Sequence, residues 1–236
     1  MKIRLDKLLQ EAGIASRKKA AEIIKEGSIL VDGEVVQDPA RRVDPSKEKV
    51  FFGNIRVKPA RKKLVYIANK PKGYLASFWG KDNMYQFFRK YANRVYPDAL
   101  LPKFASGLIL LLNDPELSEA LSQRDLPSVY RLKLKGNLTD KDRDKLLKGM
   151  KIDDRFVRVD KFLSHYKRGD KVIAVITFTH RFPSMLGKMF LRRDLSLLAM
   201  TRLSLGPLKL GKLKGGEARE ATRQEIEALR KALELV

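Results

Sequence analysis

The sequence predicts an α+β protein in which a small helix–helix–hairpin module precedes a larger domain with an open-faced sheet. Helical spacing and a hairpin signal are concentrated in the first part of the chain. Strands and helices interleave afterwards without a βαβ period. A short basic segment with a proline, Val57–Lys63, lies between the two parts and is typical of a linker. We therefore expect two domains, residues 1–60 and 61–236, that can move relative to each other.

Two helices open the first module. The first contains a row of leucines at helical spacing and ends before Gly13. The second is predicted over 17–26, with Ser16 as its N-cap and Gly27 in the place of a left-handed C-cap. Its inward face carries three small or branched apolar residues: Ala20, Ile23 and Ile24.

A hairpin and a cationic helix end complete this module. Asp32-Gly33 separates two short apolar runs, which is a strong signal for a two-residue hairpin turn. The second helix begins with Arg17, Lys18 and Lys19, at the end where the helix dipole disfavours cations. A solvated charged face is one interpretation, and phosphate binding is the other. We favour phosphate binding, because a bound phosphate would offset the unfavourable interaction of these cations with the helix dipole.

The second part alternates strands and helices. Two stretches are short and fully apolar, 65–68 and 108–112, and two alternate with period two, 130–134 and 171–177. The alternation favours a sheet with one open face. Helices are predicted over 139–148 and 222–235, the latter with Glu225 three residues after its Thr222 cap.

Composition points to a polyanionic partner. The chain has 50 Lys and Arg against 28 Asp and Glu, a net charge of +22, of which residues 61–236 carry +18. Such an excess favours nucleic acid, because neutralised phosphates release counterions. A basic surface kept for solubility, as in a thermophile, is the alternative.

Several classes of site are excluded or disfavoured by composition. The absence of cysteine rules out disulfides, a thiol nucleophile and thiolate metal sites, and His165 and His180 are too few for a His-rich metal centre. The longest apolar stretches are far below the ~18 residues that span a bilayer. Charges begin at Lys2, so we expect no signal peptide. We expect a cytoplasmic protein without a membrane or metal partner.

Three segments of the first module resemble the alpha-L RNA-binding motif: Arg4–Leu9, Ala12–Arg17 and Val31–Gly33. The resemblance covers nearly all of residues 2–50. It implies that one group of side chains, to which we add the nearby Lys25, faces an RNA backbone: Arg4, Ser16, Arg17, Lys18, Lys19 and Lys25.

The second part resembles the pseudouridine synthase domain of RsuA/RluB-type ribosomal RNA enzymes, in the stretches Tyr66–Tyr74, Ser106–Asp114 and Gly206–Gly211. An alpha-L module before this domain is that family's usual order. The resemblance implies a mixed, mainly antiparallel sheet and an activity without a cofactor. Such enzymes detach uracil from its ribose, turn it and rejoin it through carbon, with an aspartate that the reaction requires.

That aspartate has no counterpart here. The family carries it in a Gly-Arg-Leu-Asp run before a Ser-Gly and an apolar strand; the aligned residues are Ala99–Pro102, which put Pro102 at the aspartate position and Leu100 at the arginine position. Proline offers neither a nucleophile nor an acid or base. Asp98 lies about 13 Å away in an extended chain, and Asp114 lies at the far end of the strand, so neither is expected to substitute.

A second family motif has also lost its polar residues. The stretch Arg181–Phe190 stands where the family has a Gly-Lys-Asn-Arg-Gln run, with Met189 and Phe190 kept as core residues. Tyr130 matches a tyrosine that stacks on the target base, although a half-buried strand tyrosine is an equal interpretation. His180 could replace a base but is more simply structural.

These observations predict a degenerate pseudouridine synthase that binds structured RNA, ribosomal RNA or a ribosomal particle without modifying it. In the second domain we assign the RNA contacts to six side chains: Asn69, Lys70, Lys72, Tyr130, Lys188 and Arg202. An active synthase that uses an unaligned acid is the first alternative. A basic scaffold that binds other proteins is the second.

Overall fold

The computed structural model describes residues 2–53, 55–59, 62–78, 81–92, 94–99 and 101–235, with no side chain described at position 55. The elements follow in chain order: β1 (Ile3–Arg4), α1 (Leu5–Glu11), α2 (Arg17–Lys25), β2 (Ile29–Val31), β3 (Glu34–Val36), β4 (Arg42–Val43), β5 (Val50–Phe52), β6 (Ile55–Arg56), β7 (Val65–Lys70), α3 (Tyr85–Phe88), β8 (Tyr96–Asp98), β9 (Ala105–Leu112), α4 (Pro115–Gln123), β10 (Pro127–Lys135), α5 (Asp140–Lys148), β11 (Met150–Ile152), β12 (Arg155–Val157), β13 (Lys161–Arg168), β14 (Lys171–Thr179), α6 (Met185–Leu191), β15 (Ser196–Leu205), β16 (Leu208–Lys209), β17 (Ala218–Glu220) and α7 (Arg223–Ala232).

The first module contains the expected helix–helix–hairpin. Helix α2 ends where Gly27 takes a φ of +74°, as the C-cap prediction requires. Asp32 and Gly33 both have positive φ, +52° and +95°, which is the geometry of a tight hairpin turn between β2 and β3. Ser16 occupies the N-cap of α2, but its side chain makes no capping hydrogen bond.

A four-stranded sheet in the order β3-β2-β5-β6 packs beside these two helices, and β1 pairs with β4. The inward residues of both helices and of the strands form one apolar cluster that extends from Leu5 to Val57. Ala20, Ile23 and Ile24 belong to it, as their spacing predicts.

The second part is built on a nine-stranded sheet with the main order β13-β14-β10-β15-β9-β7-β17. Strand β16 pairs with β15 and β8 with β9. All described pairs in this sheet are antiparallel except β9 with β15, so the sheet is mixed and mainly antiparallel, as expected. Strands β10 and β14 alternate between buried and more exposed residues, which leaves one of their faces open.

Two helices of the second part begin at strong local signals. Thr139 and Thr222 cap α5 and α7, each with a reciprocal capping box to the acid three residues later. Helix α6 was not predicted; it contains Met189 and Phe190, which are buried as expected. None of the described helices is long and apolar enough to span a membrane.

The two parts have separate apolar clusters, and their backbones approach closely at Gly13. The described clusters of the second part begin at Leu64. Gly13, with φ +72°, approaches the other part so closely that a Cβ there would lie 2.7 Å from the backbone nitrogen of Val95 and nearer still to the carbonyl of Arg94. Ala60 and Arg61, at the predicted boundary, lie outside the described residues, so the division at residue 60 stays a prediction.

Candidate functional site

A buried carboxylate organises the cations of the first module. Asp6 is 3% exposed and accepts hydrogen bonds from Arg4 Nε at 3.1 Å, Arg4 Nη2 at 2.8 Å and Arg17 Nε at 3.3 Å. Burial disfavours the charge of Asp6, but the hydrogen bonds from Arg4 and Arg17 outweigh it and hold the pKa of Asp6 below its ordinary value. The carboxylate therefore fixes two arginines side by side. Asp6 was not predicted as a site residue, although it follows Arg4 by two positions in the sequence.

The other predicted cations of this module lie along α2. Lys18 and Lys25 are exposed, and Lys19 pairs with Glu22 at 2.9 Å. A groove of about 830 Å³ runs beside Arg4, and its basic lining is Lys2, Arg4, Lys7, Arg42 and Lys58, with Glu11 and Asp44 as its acids. The module thus presents an exposed cationic surface on both sides of Arg4.

A second cavity, of about 280 Å³, lies at the end of the large sheet. Strands β8, β10 and β15 contribute Asp98, Tyr130 and Arg202 to its wall, helix α4 contributes Ser118, and Ser16 reaches it from the first module. Tyr130 is 1% exposed and Arg202 4% exposed. Predicted residues from both modules therefore meet here, but two of them have almost no free surface.

Arg202 donates hydrogen bonds to two backbone carbonyls. Its Nε donates to the carbonyl of Leu108 at 2.7 Å, and its Nη2 donates to the carbonyl of Ala99. Burial lowers the pKa of Arg202, and the electrostatic interaction with the neighbouring Tyr130 opposes that shift. Within the described parts of the chain, no carboxylate forms an ion pair with this guanidinium. A buried guanidinium that is bonded to backbone carbonyls has little free surface for a phosphate, and the RNA contact expected of Arg202 stays a prediction.

Asp98 differs from the expectation that excluded it. The sequence argument concerned its distance from Pro102; the fold places Asp98 in the wall of the same cavity as Tyr130 and Arg202. The carboxylate accepts from Ser118 Oγ and from the backbone nitrogen of Ala99 at 2.6 Å. Burial raises the pKa of Asp98 to about 6.

Asp114 is not at this cavity. Its carboxylate caps α4 by accepting from the backbone nitrogens of Glu116 and Leu117, and it pairs with Lys63 at 3.0 Å and Arg230 at 3.4 Å. These bonds accompany its burial and give it a structural role, whereas the sequence analysis expected only that it would not replace the missing aspartate.

The segment around Pro102 is held by a buried lysine. Lys70 is 0% exposed, and its Nζ donates to the carbonyls of Ala105 at 2.7 Å, Pro71 at 3.0 Å and Lys103 at 3.4 Å. Burial lowers the pKa of Lys70 to about 8. The ammonium therefore ties the turn after Pro102 to the end of β7. Leu100, expected at the lost arginine position, lies outside the described residues.

The remaining predicted contacts of the second part differ in exposure. Lys70 is buried with its ammonium bonded to the backbone, and the partly buried Asn69 donates to the carbonyl of Leu213 at 2.8 Å, so the RNA contacts of these two residues stay predictions. Lys72 is exposed and donates to the carbonyl of Leu198 at 3.1 Å. Lys188 is exposed and pairs with Asp153.

The segment after β14 closes the cavity with side chains that the sequence analysis did not assign. Arg181 Nε donates to Asp125 at 3.1 Å, and its terminal nitrogens donate to the carbonyls of Ser122 and Gln123. His180 Nδ1 accepts from the backbone nitrogen of Phe182 at 3.0 Å, and burial lowers the pKa of His180. The imidazole is thus a structural acceptor.

Comparison with known proteins accounts for this arrangement. A family model described as the S4 domain matches residues 3–48. An uncharacterised RNA pseudouridine synthase of Aquifex aeolicus is 34% identical, with the match covering all of this chain and 96% of that protein. The chain belongs to the RNA pseudouridine synthase family. Its S4 domain coincides with the module predicted from the alpha-L resemblance.

Other family members match over nearly the whole chain as well. The ribosomal large subunit pseudouridine synthase B of Bacillus subtilis is 31% identical over 96% of this chain and 95% of its own length. A crystal structure of a pseudouridylate synthase shares the fold, with a TM-score of 0.67, 20% identity, and coverage of 96% of this chain and 99% of that one. Both parts of this chain therefore match the family's architecture.

Proposed function

We propose that this family member binds structured RNA and does not isomerise uridine. The observation that carries the proposal is Pro102 at the position of the family's aspartate, since proline can neither attack a base or sugar nor transfer a proton. The other changes act in the same direction. The segment aligned with the polar motif now carries Phe182, Met185 and Leu186, which favour apolar contacts over charge.

The cavity supports the proposal. A target base that stacked on Tyr130 would need the surface of its ring, which is 1% exposed. Arg202, the cation beside it, is committed to the carbonyls of Leu108 and Ala99. A base could reach this wall only if these buried groups were rearranged. Even then, Pro102 would offer it no nucleophile, acid or base.

RNA recognition is assigned to the S4 domain. Arg4 and Arg17 are held together by Asp6, and Lys18 and Lys25 are exposed on the adjoining helix. The net charge of +22 provides a long-range attraction for the phosphate backbone. Because a relative is named for the large ribosomal subunit, ribosomal RNA in the cytoplasm is the partner that we propose.

The binding surface is tested with Arg17→Gln, Lys18→Gln and Lys19→Gln together. If six to ten phosphates are contacted, the affinity of the wild type for ribosomal RNA falls roughly 10³–10⁵-fold between 50 and 200 mM salt. The triple variant should bind more weakly to all sequences, with a salt slope smaller by up to about 3. A variant with Lys141, Lys145 and Lys148 of α5 replaced by Gln removes the same charge elsewhere. Equal slopes in the wild type and the α2 variant would exclude this surface.

A second candidate function is an active synthase that uses Asp98. The position of Asp98 in the cavity with Tyr130 and Arg202 favours it, and a pKa of about 6 leaves the carboxylate mostly ionised at neutral pH. The test is the formation of pseudouridine in unmodified ribosomal RNA by the wild type and by Asp98→Asn. Product that requires Asp98 would establish this candidate and overturn the non-catalytic proposal.

A further inference from the structure

One face of the large sheet carries cations outside the S4 domain and the cavity. In β10, three exposed cations alternate with buried neighbours: Arg131, Lys133 and Lys135. Lys135 is paired in register with Lys171 of β14, and Lys171 with Arg168 of β13. Ile173 of β14 lies opposite both Lys133 and Tyr166. We name this surface the cationic face; its members are Arg131, Lys133, Lys135, Lys161, Tyr166, Arg168 and Lys171.

The cationic face lies on the side of the sheet away from the cavity residue Tyr130. Successive side chains of a strand point to opposite sides, so Arg131 and Lys133 are on the other side of β10 from Tyr130 and Leu132. Tyr130 and Leu132 belong to the main apolar cluster. The face is therefore separate from the site aligned with the family's reaction centre.

The charge of this face is unbalanced. Strands β10, β13 and β14 contain no acidic residue. Lys171 pairs with Asp170 at 3.4 Å, and among the described residues the other cations of the face have no acidic partner within 4.0 Å. Cations spaced two residues apart on one strand repel each other. A bound polyanion would remove that repulsion.

Protection of a sheet edge explains only part of this pattern. Strand β13 is the last in the order of the sheet, and cations on an edge strand prevent pairing with other chains. That role suits Lys161 and Arg168. It does not suit the three cations of β10, because β10 has β14 on one side and β15 on the other. The central cations need a different explanation.

Tyr166 adds an aromatic surface among these cations. It is 55% exposed, and it lies beside Ile173, which is only partly buried. Open sheets that combine cations with exposed aromatic rings bind unpaired nucleotides through phosphate contacts and base stacking. We propose that the cationic face binds the phosphate backbone of an unpaired RNA segment, with one base stacked on Tyr166. The inference rests on the proposed RNA binding and adds a second contact to that of the S4 domain.

The phosphate contact is tested with Arg131→Gln, Lys133→Gln and Lys135→Gln together. The probe is a synthetic RNA stem-loop with a single-stranded overhang, and the α5 variant at Lys141, Lys145 and Lys148 is the matched control. Loss of three single-strand phosphate contacts should lower the salt slope by about 2. The control should keep the slope of the wild type, because its charges lie on another element. A blunt duplex should be affected much less than the overhang.

The stacking contact is tested with Tyr166→Ala and Tyr166→Phe. Loss of the ring should weaken binding of the overhang roughly 5- to 100-fold, whereas phenylalanine should preserve it. If the wild type binds RNA and both the β10 and the Tyr166 variants bind it equally well, the cationic face is not an RNA surface and the S4 proposal stands. If the wild type binds phosphatidylglycerol vesicles through this face but no RNA, both proposals are overturned.

Discussion

Lys70 illustrates how a charged residue can serve the backbone instead of a ligand. Its ammonium donates to three carbonyls that belong to the end of β7 and the turn after Pro102. In the sequence, Lys70 lies in the basic run Asn69–Lys72, which is typical of an exposed segment. Burial could not be inferred from that run, because two of the three carbonyls that accept from Lys70 belong to Lys103 and Ala105, more than thirty positions later.

Replacement of Lys70 by methionine should lower the free energy of unfolding by about 1–3 kcal/mol, because buried carbonyls lose their donor. The matched change Lys72→Met removes an exposed cation and should cost less than about 0.5 kcal/mol. Urea denaturation of both variants measures the difference. Equal losses would show that the Lys70 bonds do not stabilise the fold.

Asp98 should give the protein a component of stability that falls as pH rises. Its pKa is about 6 in the folded chain against an ordinary value near 4, so between these values the folded state holds a proton that the unfolded state has lost. The free energy of unfolding should therefore drop by about 2–3 kcal/mol across this range. Asp98→Asn should remove that drop and be at least as stable as the wild type at pH 7. A pH profile identical to that of the wild type would contradict the assignment.

Helix caps and turns were predicted correctly from the sequence, whereas features that depend on packing were not. The helix that begins after Thr139, the Thr222 cap with Glu225 and the Asp32-Gly33 turn were predicted correctly, because each depends on residues within a few positions. Helix α6 and the position of Asp98 were missed, because they depend on the packing of distant segments. The same is true of the parallel pairing of β9 with β15.

That parallel pairing requires a glycine. Gly107 has φ +108°, and a Cβ there would lie 2.9 Å from the carbonyl carbon of Arg202 and nearer to its nitrogen and oxygen. Gly107→Ala should therefore cost more than about 3 kcal/mol of folding free energy. Gly33→Ala, with φ +95° and no atom within 4 Å, carries only the backbone strain of about 1–2 kcal/mol. Urea denaturation compares the two, and similar costs would exclude a steric requirement at Gly107.

The two parts of the molecule meet at Gly13, where the backbone of Arg94 and Val95 leaves no room for a side chain. Gly13→Ala should push the S4 domain away from Arg94 and Val95 without unfolding the second part, whose apolar clusters are separate. We expect a larger radius of gyration in X-ray scattering and faster tryptic cleavage at the linker lysines. Gly53→Ala, where a Cβ meets nothing within 4 Å, is the control. An unchanged radius would show that the contact does not hold the parts together.

Motifs of the sequence predicted the family and its S4 domain, but not which cations are free. Lys70 and Arg202 were grouped with surface residues because a sequence does not show which charges the fold encloses. Conversely, Lys133 was treated only as a polar position of the alternating stretch 130–134, and Lys135 follows that stretch. Their joint placement beside Lys171 depends on strand order, which no local signal contains.

The central claim is that this pseudouridine synthase homologue binds RNA without modifying it. The most direct measurement incubates the purified protein with unmodified ribosomal RNA, confirms binding in the same sample, and maps pseudouridine chemically, with the Bacillus subtilis relative as the positive control. We predict bound RNA without pseudouridine, and the same result for Pro102→Asp, because the second motif would still lack its polar residues. Pseudouridine formed at a defined site by the wild-type protein would contradict the account.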